Sequence, residues 1–322
     1  MNPTRRQLLT AATGLFLAFG AQAQSFPSKP IRIVVPFAAG SGSDVYARLI
    51  AEDWRQAFGQ PVIVDNKAGA SAQIGTGHVA KSAPDGYTLL VATNTGHSAN
   101  SALFKKLPYD PVADFTAIGR VLYMPYLLVV PKDSPFRTVA QLVDHAKAKP
   151  GVLSYAYGNS SGQVAGAEFL RQAGAKATGV AYKSMPPAMN DLIGGQVDYL
   201  FSDVGSALPQ LQGGRIRALG FSLDKRSPQL PEVPSITETP GLQNFSLTSW
   251  VGIVGPAGMP ADVVDKLSTQ LRRTLEKPEI RDKLSALGAE VVPSTPAELD
   301  AFIKEQLVSW GTKIRNAGIQ PE

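Results

Sequence analysis

The feature that most constrains the fold is a repeated alternation of short β-branched runs with amphipathic segments. The run "IRIVVPF" (residues 31–37) is followed by "VYARLIAEDWRQAFG" (45–59), in which apolar residues recur at helical spacing. After an irregular section at about residues 94–119, the alternation resumes through "YLLVVPK", "VLSYAY", "GVAYK", "VDYLFSD" and "IRALGFS". Such repeated βα units predict an α/β fold, with a mostly parallel sheet and helices on both of its faces.

The alternation forms two separate runs, which predicts two lobes. We place lobe 1 at residues 24–124 plus 249–322, because the two terminal helical segments are expected to return to the first lobe. Lobe 2 then comprises residues 125–248. Its last part is rich in proline but carries interleaved apolar residues such as Leu230, Val233 and Ile236. This pattern favours an ordered surface loop over a flexible linker.

The first 23 residues have the pattern of a signal peptide that is removed on export. Arg5 and Arg6 precede an apolar stretch at residues 8–20, which is too short to span a bilayer, and "AQA" supplies a small-residue cleavage site. A membrane anchor is the alternative, and the short apolar stretch argues against it. The paired arginines fit either a Sec or a Tat signal, so the sequence leaves the export route open.

Cysteine is absent, which excludes disulfides, thiolate metal sites, a cysteine nucleophile and a lipid-modified cysteine anchor. The formal net charge of +5 loses two units with Arg5 and Arg6, and the remaining lysines and arginines are spread along the chain. A weak positive field favours small anions, but the sequence holds no basic patch for nucleic acid.

One motif raises the possibility of catalysis. Residues 158–162 read G-N-S-S-G, which fits the G-x-S-x-G nucleophile elbow of α/β-hydrolases with Ser160 as nucleophile. The three histidines, His78, His97 and His145, all precede Ser160, whereas an α/β-hydrolase needs its histidine afterwards. Other serine hydrolases place the histidine first, and His97 follows a strand in a loop that could face a cleft. A secreted serine esterase is therefore the alternative function.

Two glycine- and serine-rich turns, one in each run, point instead to anion binding. "VVPFAAGSGSDVYARL" and "LSYAYGNSSGQVAGAEFL" both pass from a strand through small residues into a helix. Helix beginnings at the carboxyl ends of parallel strands present free N–H groups and partial positive charge to a ligand. The first turn lacks the lysine of a phosphate-binding P-loop. Its Asp44 fits either a helix cap or a contact with the amino group of a ligand.

The whole chain after the leader resembles the Bug family, the periplasmic solute receptors of tripartite tricarboxylate transporters. The segments that carry the resemblance are "KPIRIVVPFAAGSGSDVYARLIAE", "VIVDNKAGASAQIGTGHVAKSAPDGYTLLVAT", "AYKSMPPAMNDLIGGQVDYLFSD" and "SPQLPEVPSITETPGLQNFSLTSWVGIVGPAGMP". The resemblance implies a type II periplasmic-binding-protein fold, with a small carboxylate held in a cleft between two lobes. It also implies a monomer without enzymatic activity, cofactor or metal that delivers its ligand to membrane permease subunits.

The resemblance assigns a ligand-binding role to residues in both lobes. For Tyr182 and Asp203 the alternatives are closure of the core edge and capping of a helix. The sequence does not decide whether the ligand is an amino-acid-like, dicarboxylic, tricarboxylic or aromatic carboxylate. It also leaves two roles possible, transport and ligand sensing for a two-component kinase. The predicted ligand-binding residues are Phe37, Ala39, Gly40, Ser41, Asp44, Thr93, Asn94, Ser160, Ser161, Gly162, Tyr182 and Asp203.

Overall fold

The computed structural model describes residues 26–227 and 229–322 of the chain. The predicted signal peptide, residues 1–23, lies outside the described residues. Within the described part no helix is long and apolar enough to cross a membrane. The strands are β1 (Ile31–Val35), β2 (Val62–Asn66), β3 (Thr88–Thr93), β4 (Phe115–Pro131), β5 (Ser154–Tyr157), β6 (Thr178–Ala181), β7 (Tyr199–Asp203), β8 (Ile216–Phe221), β9 (Thr248–Pro256) and β10 (Glu290–Val291).

Helices follow most of the strands, as the alternation predicts. A π-helical turn (Thr95–Ala99) stands directly after β3, and a short 3-10 turn (Ile236–Glu238) lies in the proline-rich section. The α-helices are α1 (Gly42–Phe58), α2 (Gln73–Ala80), α3 (Asn100–Leu103), α4 (Val139–Ala148), α5 (Ser160–Ala173), α6 (Met185–Ile193), α7 (Val204–Gln212), α8 (Ala261–Glu276), α9 (Pro278–Ala286) and α10 (Pro296–Asn316).

The strands are joined into one curved sheet through β4, in the order β2-β1-β3-β9-β4-β7-β5-β6, and β8 and β10 also pair with β4. Residues 115–125 of β4 pair with β9, whereas residues 126–131 pair with β7 and β8. We call β1–β3, β9, β10 and residues 115–125 of β4 the first half of the sheet. The second half consists of β5–β8 and residues 126–131 of β4.

The prediction of a mostly parallel sheet is right only for the outer strands. β1 pairs in parallel with β2 and β3, and β5 pairs in parallel with β6 and β7. The strands at the centre, β4 and β9, make antiparallel pairs with their neighbours. The reason is that β4 runs through both halves, beginning inside the section that the sequence presented as irregular. The periodicity of apolar residues and the strand propensity of residue types cannot reveal this long-range pairing.

Apolar side chains cover both faces of the sheet, which explains why its strands read as nearly continuous hydrophobic runs. In β1, Ile33 and Val35 belong to the cluster on one face and Val34 to the cluster on the other. The same alternation separates Leu128 from Leu127 in the second half. Each fully buried aliphatic side chain contributes about 1.5–3 kcal/mol, so the sheet is held by packing on both sides.

Candidate functional site

The beginnings of four α-helices meet in a narrow gap between the two halves. α1 comes from the first half, and α5, α6 and α7 come from the second. The cavity left between them measures about 20 Å³, which is room for a single water molecule, so the two halves are closed on each other. Its walls are formed by Phe37, Ser41, Gly42, Ser43, Thr93, Asn94, Thr95, Met124, Tyr126, Asn159, Met185, Asp203 and Ser249.

The first turn is held in shape by Asp44. Its carboxylate accepts hydrogen bonds from the backbone N–H of Gly40 at 3.0 Å and from Asn66 Nδ2 at 2.9 Å. It also accepts from Arg48 Nε at 3.0 Å. Burial alone would raise the pKa of this carboxyl, but the hydrogen bonds from Arg48, Gly40 and Asn66 outweigh it and keep the pKa below its usual value. Asp44 is thus an ionised side chain that stabilises the turn and lies outside the cavity wall.

The beginning of α5 is bonded to the first half through its serines. Asn159 caps the helix by accepting the N–H of Gly162 at 2.8 Å. The hydroxyl of Ser160 donates to Asn100 Oδ1 at 2.7 Å, and Ser161 accepts a hydrogen bond from Asn94 Nδ2. These two contacts join α5 to the segment that follows β3.

The beginning of α7 closes on the beginning of α1. Asp203 caps α7 by accepting the N–H of Ser206 at 2.8 Å and its hydroxyl at 3.0 Å. The Ser206 hydroxyl in turn accepts the N–H of Gly42 at 3.2 Å. A Cβ atom on Gly42 would lie 2.2 Å from Asp203 Oδ1, so only glycine allows this approach. Burial raises the pKa of Asp203, although its hydrogen bonds from Ser206 act in the opposite direction.

Among residues 26–227 and 229–322, no lysine or arginine contributes to the cavity wall, and the carboxyl group there is that of Asp203. The polar groups of the wall are hydroxyls, side-chain amides and backbone N–H groups at helix beginnings. Such groups bind a carboxylate by hydrogen bonds and helix dipoles and need no ion pair. The site therefore has the chemistry of a receptor for small organic acids.

The predicted site residues divide by position. Tyr182 lies apart from the cavity and its hydroxyl donates to Asp191 at 2.7 Å, while Ala39 and Gly40 are exposed on the turn before α1. Ser160, Ser161 and Gly162 form the beginning of α5. The residues that line the cavity itself are Phe37, Ser41, Thr93, Asn94 and Asp203.

Sequence reasoning missed the cavity residues of the central strands. Met124 and Tyr126 come from β4, and Ser249 comes from β9. Alternation within β4 puts residues 124 and 126 on one face, but no local signal shows that this face borders a cleft. Ser206 was missed as well, although its spacing three residues after the capping Asp203 is a sequence signal.

The region around Ser160 differs from a nucleophile elbow. Ser160 is the first residue of α5 and lies outside the strained, positive-φ backbone positions of the described chain. Its hydroxyl donates to an asparagine oxygen. His97 is fully buried and packs against Phe115 with ring centroids 4.6 Å apart. No histidine among the described residues is hydrogen-bonded to Ser160.

Comparison with known proteins places this geometry among solute receptors. A family model described as the tripartite tricarboxylate transporter family receptor matches residues 46–319. A UPF0065 protein of Pseudomonas sp. (strain P51) is 35% identical over 314 residues, which cover 96% of this chain and 93% of the relative. The protein BugT of Bordetella pertussis is 31% identical over 99% of both chains.

Solved structures agree with these matches. The periplasmic binding protein BugD is 33% identical with a TM-score of 0.87, covering 92% of this chain and 100% of BugD. An R. palustris protein with adipate is 31% identical with a TM-score of 0.90 over the same shares. MatC from Rhodopseudomonas palustris with bound malate is 32% identical with a TM-score of 0.84, covering 90% of this chain and 100% of MatC.

Proposed function

The chain belongs to the receptor family of the tripartite tricarboxylate transporters, and we propose that it captures a small organic carboxylate between its two halves for delivery to a membrane permease. The predicted periplasmic-binding-protein fold and the resemblance to the Bug family are thereby confirmed. The observation that carries the proposal is the convergence of four helix beginnings, those of α1, α5, α6 and α7, on one gap to which the described residues contribute no lysine or arginine.

The proposed capture replaces contacts within the protein by contacts with the ligand. In the closed structure the hydroxyl of Ser160 is bonded to Asn100, and the side-chain amide of Asn94 is bonded to Ser161. A carboxylate that enters the open cleft takes these donors, and closure then brings the second set of helix beginnings onto it. Charge-assisted hydrogen bonds contribute about 1.5–3 kcal/mol each. Three or four of them support micromolar affinity, about −8 kcal/mol, after the cost of ordering.

We further propose that the two halves are the lobes that rotate during capture, with boundaries near residues 124/125 and 248/249. The exchange of partners within β4 supports the first boundary, since its pairing changes from β9 to β7 between Pro125 and Tyr126. Family members are periplasmic binding proteins. For this chain we propose export with removal of residues 1–23.

Dicarboxylates are the first ligands to test, because two relatives of similar structure hold adipate and malate. We expect adipate or malate at a concentration 100-fold above its Kd to add about 2.7 kcal/mol of stability. That gain raises the Tm by about 5–10 °C. Differential scanning fluorimetry followed by calorimetry measures both quantities, with aspartate and benzoate as further acids. Stabilisation by glucose, and by none of these acids, would refute the proposed ligand class.

We propose that Ser160 binds and does not react. A fluorophosphonate probe, which labels activated serine nucleophiles, is expected to leave Ser160 unmodified, because its hydroxyl is bonded to Asn100 and not to a base. Intact-mass spectrometry with a serine esterase as positive control checks this. Stoichiometric labelling that disappears in Ser160→Ala would establish the esterase instead.

A further inference from the structure

A second cavity lies on the face of β4 opposite the closed gap. It measures about 530 Å³, within the range of pockets that hold small molecules. Tyr123 and Pro125 of β4 border it, whereas Met124 and Tyr126 border the closed gap. Because side chains alternate across a strand, the two cavities lie on opposite faces of β4.

Both halves of the protein contribute to the wall of this cavity. Tyr123 and Val291 belong to the first half, and Phe221 lies at the end of β8 in the second. Phe221 pairs with Leu127 of β4, which lies on the same face of the strand as Tyr123. The side chains of Tyr123 and Phe221 therefore form an apolar surface around the place where β4 passes from one half to the other. Such a surface suits the apolar body of a ligand.

The charges at the rim favour an anion. Arg226 is neutralised by Glu238, with Nε–Oε1 and Nη2–Oε2 distances of 2.8 and 2.7 Å. Lys225, from the second half, and Arg281, from α9 in the first, also border the cavity. Neither of these two cations has a carboxylate within 4.0 Å among residues 26–227 and 229–322. With Glu290 also at the rim, one positive charge is left in excess.

We propose that this cavity is a second binding site, for an amphiphilic organic monoanion such as an aromatic carboxylate or sulfonate. The ring system lies against Tyr123 and Phe221, and the anionic group lies between Lys225 and Arg281. The two cations come from different halves, so a ligand bound to both fixes the relative orientation of the halves. The site does not depend on the proposed capture of carboxylates in the closed gap.

The test uses the mature chain and 8-anilinonaphthalene-1-sulfonate, a monoanion whose fluorescence rises in apolar surroundings. We expect one bound probe per chain, and Lys225→Gln combined with Arg281→Gln to weaken its binding by at least about tenfold, since two charge-assisted contacts are lost. Lys283→Gln is the matched control: it removes a cation from the same helix as Arg281 but outside this cavity, and binding is expected to stay unchanged.

Two further measurements distinguish this site from nonspecific apolar binding and from binding in the closed gap. N-phenyl-1-naphthylamine has the same ring systems without the charge, and it is expected to bind at least about tenfold more weakly if the cations act as proposed. Excess adipate is expected not to displace the sulfonate. Equal binding of both probes, displacement by adipate in direct competition, or binding that survives the double substitution would each overturn the proposal.

Discussion

Replacing Gly42 with alanine is expected to weaken binding of the captured carboxylate by about 10- to 100-fold while leaving the protein folded. Gly42 is the first residue of α1, and its Cα lies against the carboxylate of Asp203 from the opposite half. An added methyl group would stand 2.2 Å from Asp203 Oδ1 and 2.9 Å from its Cγ. The two halves must therefore separate by a fraction of an ångström or more before an alanine fits.

The effect falls on closure because the contact exists only between the halves. Overpacking of this kind costs roughly 1–3 kcal/mol, and the cost arises only in the closed form. Calorimetry with the best ligand of the carboxylate screen measures the loss of affinity. Small-angle scattering is expected to show a larger radius of gyration for the liganded variant than for the liganded parent.

Gly77→Ala is the matched control for this substitution. Gly77 is also a buried helical glycine of the first half, but a Cβ there would be 3.6 Å or more from its nearest neighbours, which is ordinary contact. Its affinity is expected to equal that of the parent, and its stability to rise slightly through better helix propensity. Unchanged affinity in Gly42→Ala would mean that closure does not bring α7 onto α1 in solution.

The sequence predicted the helix beginnings well because each has a local signal. The turn before α1 and the turn before α5 both show small residues between a β-branched run and an amphipathic run. Ser41 and Asn159 cap these helices by accepting the N–H groups of Asp44 and Gly162. Asp44, for which the sequence offered a capping role, lies in the first turn of α1 instead. Capping is set by residues three apart in the chain, so one sequence is enough to predict it.

The hydrogen bonds across the gap could not be predicted from local sequence patterns. The bonds of Ser160 to Asn100 and of Gly42 to Ser206 join residues 60 and 164 positions apart. Nothing in either local pattern indicates which hydroxyl meets which amide. For the same reason the full length of β4 was not predicted. Its 17 residues are recognisable as one strand only from their partners in the two halves of the sheet.

The turn after β3 combines a cleft residue with a buried histidine. The π-helical turn begins directly after Asn94, which lines the closed gap, and it carries His97 into the interior. There the imidazole packs between the rings of Phe115 and Trp250, and neither ring nitrogen has a hydrogen-bond partner among the described residues. Burial lowers the pKa of His97 to about 3.

This histidine is expected to make the protein lose stability as the pH falls below about 6.5. An unfolded chain binds a proton at an ordinary histidine pKa of about 6.5, whereas the folded protein does so only near pH 3. Unfolding therefore takes up a proton between these values, at a cost to stability of up to about 1.4 kcal/mol per pH unit. Well above pH 6.5 the imidazole is neutral in both the folded and the unfolded chain, so it does not change the free energy of unfolding with pH.

The window between pH 6.5 and 5 lies above the ordinary carboxyl pKa values near 4. Burial raises the pKa of Asp203, so the contribution of His97 is taken as the difference in slope between the parent and His97→Leu. Urea unfolding of the parent is expected to show a loss of about 2 kcal/mol across this window. The substitution His97→Leu removes both unpartnered nitrogens and keeps an apolar side chain against Phe115 and Trp250. It is expected to make the free energy of unfolding nearly independent of pH across this window. His78→Gln changes an exposed histidine of α2 and is expected to keep the parental slope. If the free energy of unfolding falls with pH equally steeply in His97→Leu and in the parent, protonation of another group drives the acid transition. The buried imidazole is then reached by water in the folded protein.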